Sequence, residues 1–214
     1  MEREPRRTAA DRLVGILDQG LRTVFGDDAP RRASPARDID DGELSLRGRR
    51  LAGALMRVNH TGEVCAQALY EGQAATAAAG QARDALLAAA NEEHDHLGWC
   101  RERLEELEGR PSVLNPAFYA ASFALGAAAG LLGERISLGF VEATEDEVCR
   151  HLDRHLERLP EEDRKSRAIL AAMREDESRH GNEALRSGGV AFPSPVKRLM
   201  RLASRAMTES AYRI

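Results

Sequence analysis

Aromatic side chains make up only 4% of this 214-residue chain, and lysine is nearly absent: of 31 basic residues all but Lys165 and Lys197 are arginine. So few aromatics, beside abundant Ala, Leu, Glu and Arg, argue against a β-sandwich or barrel and for a helical protein. The arginine excess reads as a coding bias and not as a site. Cysteine is scarce too. Cys65, Cys100 and Cys149 are odd in number, widely spaced and form no C-x-x-C pair, which excludes a disulfide framework or a cysteine-based zinc site and points to a reducing compartment. No G-x-G-x-x-G run is present, so any nicotinamide must act by a route other than a dinucleotide-binding fold, or through a partner. A formal net charge of −4 excludes a dedicated nucleic-acid binder. No signal peptide opens the chain, whose first residues carry Glu2, Glu4 and Asp11; the expectation is a protein kept on the cytoplasmic side.

What is present is helical periodicity. Residues 9–25 place Ile16, Leu17, Leu21 and Phe25, with Leu13 before them, at spacings of three and four, the pattern of an amphipathic helix. Turn-forming residues follow, from Gly26-Asp27-Asp28 through Pro30, Pro35 and the acidic Asp38-Ile39-Asp40-Asp41. Long helices are expected from Leu44 to about Ala79, from Gln81 to Glu108, from Pro116 to about Arg158 and from Glu161 to Arg186, each stopped by glycine or proline. A last helix follows Pro193 and Pro195. The expected organisation is an N-terminal amphipathic helix and linker (1–44), a four-helix bundle (45–190) and a basic amphipathic helix (191–214).

Residues 111–133 carry no charged side chain. Ala and Gly dominate there and favour insertion weakly, so a buried bundle helix or a membrane-dipping surface is expected and not a membrane span. Near the C-terminus, Val196, Leu199, Met200, Ala203 and Met207 fall on one face, with Lys197, Arg198, Arg201 and Arg205 around the other. A helix lying in a membrane interface and a helix packed on the bundle both fit that pattern.

Two Glu-x-x-His motifs stand out, Glu93-His94-Asp95-His96 and Glu177-Ser178-Arg179-His180. Residues three apart on a helix are surface neighbours, so carboxylate and imidazole can reach one metal ion. A single such motif is ordinarily a surface ion pair. The spacing changes this. Glu63 precedes Glu93 by 30 residues and Glu145 precedes Glu177 by 32; the halves are offset by 82 at the lone glutamates and by 84 at both members of the motifs. Two helix pairs, each giving one Glu from its first helix and Glu-x-x-His from its second, are the ligand set of ferritin-like di-iron or di-manganese bundles. Carboxylates are hard donors able to bridge two metals, and imidazole suits iron. On this template Glu63 and Glu145 are terminal ligands, Glu93 and Glu177 are bridges and the catalytic pair, and His96 and His180 give one imidazole to each metal. Glu92, His94 and Glu142 are weaker alternatives as ligands. His151 is a candidate for supporting a ligand, Tyr70 for lining the cavity, and Trp99 and Cys100 read as core. From the residues alone a rubrerythrin-type oxidase or peroxidase, a non-enzymatic iron-binding protein and a metal-free helical scaffold all remain open.

Arg57-Val58-Asn59-His60-Thr61-Gly62-Glu63 resembles the first-helix signature of the demethoxyubiquinone hydroxylases. The resemblance continues through Glu92-Glu93-His94-Asp95-His96-Leu97, Phe123-Ala124-Leu125-Gly126, Val141-Glu142-Ala143-Thr144-Glu145 and Asp176-Glu177-Ser178-Arg179-His180-Gly181. It covers the chain from about residue 45 to the end and fills all six ligand positions. It implies a di-iron monooxygenase of ubiquinone biosynthesis that hydroxylates a polyprenyl methoxy-methyl-benzoquinone with O2 and electrons from NADH or another reductant. It further implies peripheral attachment to the cytoplasmic face of the cell membrane, and partners in a ubiquinone-synthesis complex.

Overall fold

A computed structural model describes residues 8–26 and 29–214. Glu2, Glu4, Asp27-Asp28 and the side chain of Leu13 lie outside the described residues. Seven helices and no strand are found among those described: α1 (Ala9–Phe25), α2 (Leu46–Thr76), α3 (Gln81–Glu106), α4 (Asn115–Leu131), α5 (Glu134–Arg158), α6 (Arg164–Arg186) and α7 (Ser194–Arg213). Their starts follow local chemistry. Thr8 and Asp11 form a capping box at α1, the Ser45 hydroxyl accepts from the Gly48 N–H, and the Asp163 carboxylate accepts from Ser166 N–H.

The one long helix expected from Pro116 to Arg158 is two. A straight helix of that length would run about 65 Å and carry Glu145 away from the other half of the chain. Instead the backbone turns at Gly133, whose φ of 100° is costly for any residue with a Cβ. α2 and α3 form one hairpin and α5 and α6 the other, and α4 is the long crossover between them, as in ferritin-like bundles. It lies along α2 at close range. A Cβ at Gly126 would strike the Leu69 carbonyl, and one at Gly72 the Phe123 carbonyl. The uncharged stretch therefore has a reason in helix packing. Its opposite side stays exposed, including Leu125, Leu131 and Leu132. No helix among the described residues is long and apolar enough to cross a membrane.

The bundle interior is unlike at its two ends. Where α2 begins and α3 finishes, large side chains fill it: Leu55, Met56, Trp99, Leu104, Leu152, Ile169, Leu170 and Met173. At the other end small residues, Ala74, Ala90 and Ala184, pack with Tyr70, Leu86, Leu138 and Val141. The flanking helices present apolar faces outward. Leu17, Leu21 and Phe25 of α1 are exposed, while Gly20 and Thr23 face inward; Leu199 and Leu202 of α7 are exposed, while Met200 and Met207 are half-buried. Lys197, placed by its sequence on the basic face, reaches inward to Glu142 Oε1 at 2.7 Å.

Gly126→Ala forces a Cβ into the α2 backbone, and overpacking of this kind costs about 1–3 kcal/mol. Thermal unfolding should therefore fall by several degrees in this variant. An unchanged midpoint would show that α4 is not seated on α2 as described.

Candidate metal centre

Asn59, His60, Thr61 and Glu63 of the α2 signature segment are polar yet buried, and each has a task. Asn59 Oδ1 accepts from His155 Nδ1 at 2.9 Å, fixing α5. The Thr61 hydroxyl donates to Asn115 Oδ1 at 2.9 Å and His60 Nδ1 lies 3.3 Å from the Asn115 amide nitrogen, fixing the start of α4. Glu63, one turn beyond Asn59, is thereby aimed into the bundle.

There it meets Glu93, His96 and Glu177. One donor atom from each lies within 4.8 Å of the others, and all four residues are buried. His96 Nδ1 stands 3.1 Å from Glu177 Oε1, 3.3 Å from Glu93 Oε2 and 3.6 Å from Glu63 Oε2. His180 Nδ1 faces the other oxygens of the same two carboxylates, Glu177 Oε2 at 3.2 Å and Glu93 Oε1 at 3.5 Å. Glu93 and Glu177 thus each turn one oxygen to either imidazole, the disposition a bridging carboxylate needs. Glu145 sits beside this group and outside the four-atom cluster. Its Oε1 accepts the Tyr70 hydroxyl at 2.6 Å, and its Oε2 is buried without a partner.

Several of these donor atoms crowd together without a well-formed hydrogen bond. Glu63 Oε2, both oxygens of Glu93, Glu145 Oε2 and His96 Nδ1 are buried with no hydrogen bond. Such atoms are rare and costly in folded proteins, and metal bound among them would give them partners. The proton affinities agree. Burial, reinforced by neighbouring carboxylates, raises Glu63 and Glu145 well above the usual carboxylate range. Burial opposes charge on His180, but Glu177 and Glu93 outweigh it and push its pKa up to about 11. Protons are drawn into the centre where a divalent metal would serve.

An outer layer orients the imidazoles. With Nδ1 turned inward, each Nε2–H is free to donate outward: His96 to Asp176 Oδ2 at 3.0 Å, and His180 to Glu92 Oε2 at 3.2 Å. Arg179 Nη2 spans both outer carboxylates, 2.6 Å from Glu92 and 2.8 Å from Asp176. Each imidazole is therefore held by the residue preceding the middle glutamate of the other half, the usual way a ligating histidine is fixed. Glu92 is thus a support and not a competing ligand. Glu142 is taken by Lys197, and His94 lines a surface cleft with Arg22, Gly26, Ala29 and Pro30. His151 packs against His155, ring centroids 3.9 Å apart and planes tilted by 55°, instead of reaching the centre. Tyr70 does more than line the cavity, since it holds Glu145. Trp99 and Cys100 are core, with the Trp99 ring 5.3 Å from that of His96. Asp176 and Arg179 are functional residues that the ligand spacing alone leaves out. The signal was available, because Glu92-Glu93 and Asp176-Glu177 are acidic pairs at the same offset of 84.

Residues 50–211 match the family described as ubiquinone biosynthesis protein COQ7. The chain belongs to the COQ7 family. Curated relatives in it include a 3-demethoxyubiquinol 3-hydroxylase of Azotobacter vinelandii, 56% identical over the whole of both chains. Proteins of the same name from Pseudomonas paraeruginosa and Ectopseudomonas mendocina are 56% and 54% identical, over 95% and 100% of each chain. The matched COQ7 region contains the six glutamates and histidines of the centre and excludes α1 and the linker after it.

Anaerobic Fe(II) or Mn(II) at about 100 times its dissociation constant should stabilise the chain by about 2.7 kcal/mol per site, read as a rise in the unfolding midpoint. Glu93→Ala should abolish most of that rise. A midpoint indifferent to metal would contradict the reading of these residues as ligands.

Proposed function

We propose that this COQ7-family chain is a di-iron monooxygenase that hydroxylates the ring of a 3-demethoxyubiquinol in ubiquinone biosynthesis, with O2 and an external reductant such as NADH. The observation that carries the reading is the buried group of Glu63, Glu93, His96 and Glu177, joined by His180 and Glu145, in a chain more than half identical end to end to proteins named for that reaction. Bound iron would supply activation of O2 and transfer of one oxygen atom to a ring carbon.

The chain's own residues have separable parts in this. Glu63 and His96 would hold one metal, Glu145 and His180 the other, and Glu93 and Glu177 would bridge them. The Tyr70 hydroxyl restrains one oxygen of Glu145, leaving the other for a metal. Asp176 and Glu92 keep Nδ1 of each histidine inward. Large side chains fill one end of the bundle, and the ring would approach from the other, where the small Ala74, Ala90 and Ala184 obstruct least.

A polyprenyl tail would leave by that small-residue end. Exposed Leu87, Leu131, Leu132, Ile136, Leu185 and Val190 gather there, where α2, α4 and α6 finish and α3 and α5 begin. The outward faces of α4 and α7 adjoin them. Peripheral attachment by this end would let the tail stay in lipid while the ring reaches Glu93 and Glu177. On this reading the chain works on the cytoplasmic face of the cell membrane, beside other enzymes of the same pathway.

Iron-loaded, anaerobically reduced protein mixed with demethoxyubiquinol and then O2 should yield a product heavier by one oxygen atom, detected by mass spectrometry. Glu177→Ala should yield none while remaining helical. Oxygen consumption without a heavier quinol would favour an oxidase over a hydroxylase, and product from Glu177→Ala would contradict the assigned bridge.

A further inference from the structure

The segment that follows α1 lies outside the region matched to the family, yet it reaches the metal centre. Asp95, beside His96 on α3, anchors it: Oδ1 accepts from the backbone N–H of Arg31 at 2.6 Å and of Arg32 at 3.3 Å, and Oδ2 lies 3.0 Å from Arg32 Nε. The Trp99 indole N–H donates to the Arg32 carbonyl at 3.1 Å, and the Arg32 guanidinium lies over the Trp99 ring, 4.7 Å from its centroid. Pro30 seats against Gly98, where a Cβ would come within 3.0 Å of the proline ring. So fixed, Arg32 puts Nη1 2.8 Å from Asp176 Oδ2 and Nη2 3.3 Å from His96 Nε2.

This contact breaks the symmetry of the centre. Glu92, which holds His180, meets one guanidinium among the described interactions, that of Arg179. Asp176, which holds His96, meets two, Arg179 and Arg32. A carboxylate whose charge is neutralised pulls less on the imidazole N–H. The imidazole then gives less electron density to a metal on its other nitrogen. The Arg32 charge acts in the same direction, because a nearby cation favours a centre that gains an electron.

Resting on the two-iron reading, we propose that Arg32 is a positioning residue: it holds Asp176 against His96 and makes the His96 half of the centre easier to reduce than the His180 half. The pair then accepts two electrons one at a time, the first on the His96 side. The N-terminal arm would thus tune the centre while contributing no ligand.

The test is a redox titration of the iron-loaded full chain with dithionite and mediators, the half-reduced state being followed by electron paramagnetic resonance. The parent should pass through a well-populated half-reduced state. Arg32→Gln should make the first step about tenfold less favourable, a fall of about 59 mV for one electron, and shrink the half-reduced signal. Arg32→Lys, which keeps the charge, should stay near the parent, and Arg37→Gln, on the same segment, should match it. Should Arg32→Gln fail to hold iron, Asp95→Asn loosens the anchor and should shift the first step the same way by less. Arg32→Gln, or in its place Asp95→Asn, titrating like the parent would overturn the proposal. So would Arg32→Lys behaving like Arg32→Gln. A parent chain that takes up no iron would overturn the two-iron reading itself, a failure distinct from either.

Discussion

Repulsion among buried carboxylates is the constraint on which the rest of this structure turns. Glu63, Glu93, Glu145 and Glu177 all point into one dry volume, and isolated charges removed from water cost many kcal/mol unless compensated. Two histidines and their protons offset part of that cost, as the raised His180 and Glu145 show. Metal ions would offset far more, and would do so only if six side chains from four helices arrive together. The hairpins α2–α3 and α5–α6, the crossover α4 and the polar clamps of Asn59 and Thr61 all serve that convergence.

Function follows from the same asymmetries of packing. One end of the bundle is filled by leucine, methionine and tryptophan and closed. The other is built from alanines and ringed by exposed leucines. A centre able to activate oxygen needs a wall that excludes water, and the proposed approach of an apolar ring is from the small-residue end. The N-terminal arm meets the centre through Asp95, Trp99 and Arg32.

Much of this was legible in the sequence because metal ligation imposes spacing. The offsets of 82 and 84 single out Glu63, Glu93, His96, Glu145, Glu177 and His180, of which the structure clusters Glu63, Glu93, His96 and Glu177 most tightly, and glycine and proline stops mark most helix ends within a few positions. The break at Gly133 was missed because apolar periodicity runs through it on both sides, and only the need to bring Glu145 back to Glu177 demands a turn. Side-chain partnerships were less legible still. That Glu142 belongs to Lys197, that Tyr70 restrains Glu145 and that Arg32 reaches Asp176 depend on contacts between residues 55 to 144 positions apart, which no local pattern encodes. The exposed leucines of α1 show the complementary limit: a stripe at helical spacing reveals an apolar face and leaves open what it packs against.

The central claim is that Glu93 and Glu177 bridge two metals. Anomalous diffraction from crystals of the iron-loaded chain tests it most directly. The account predicts two peaks about 3.5–4 Å apart, both within bonding distance of Glu93 and Glu177, one beside His96 and the other beside His180. A single peak, or two ions that share neither carboxylate, would contradict it.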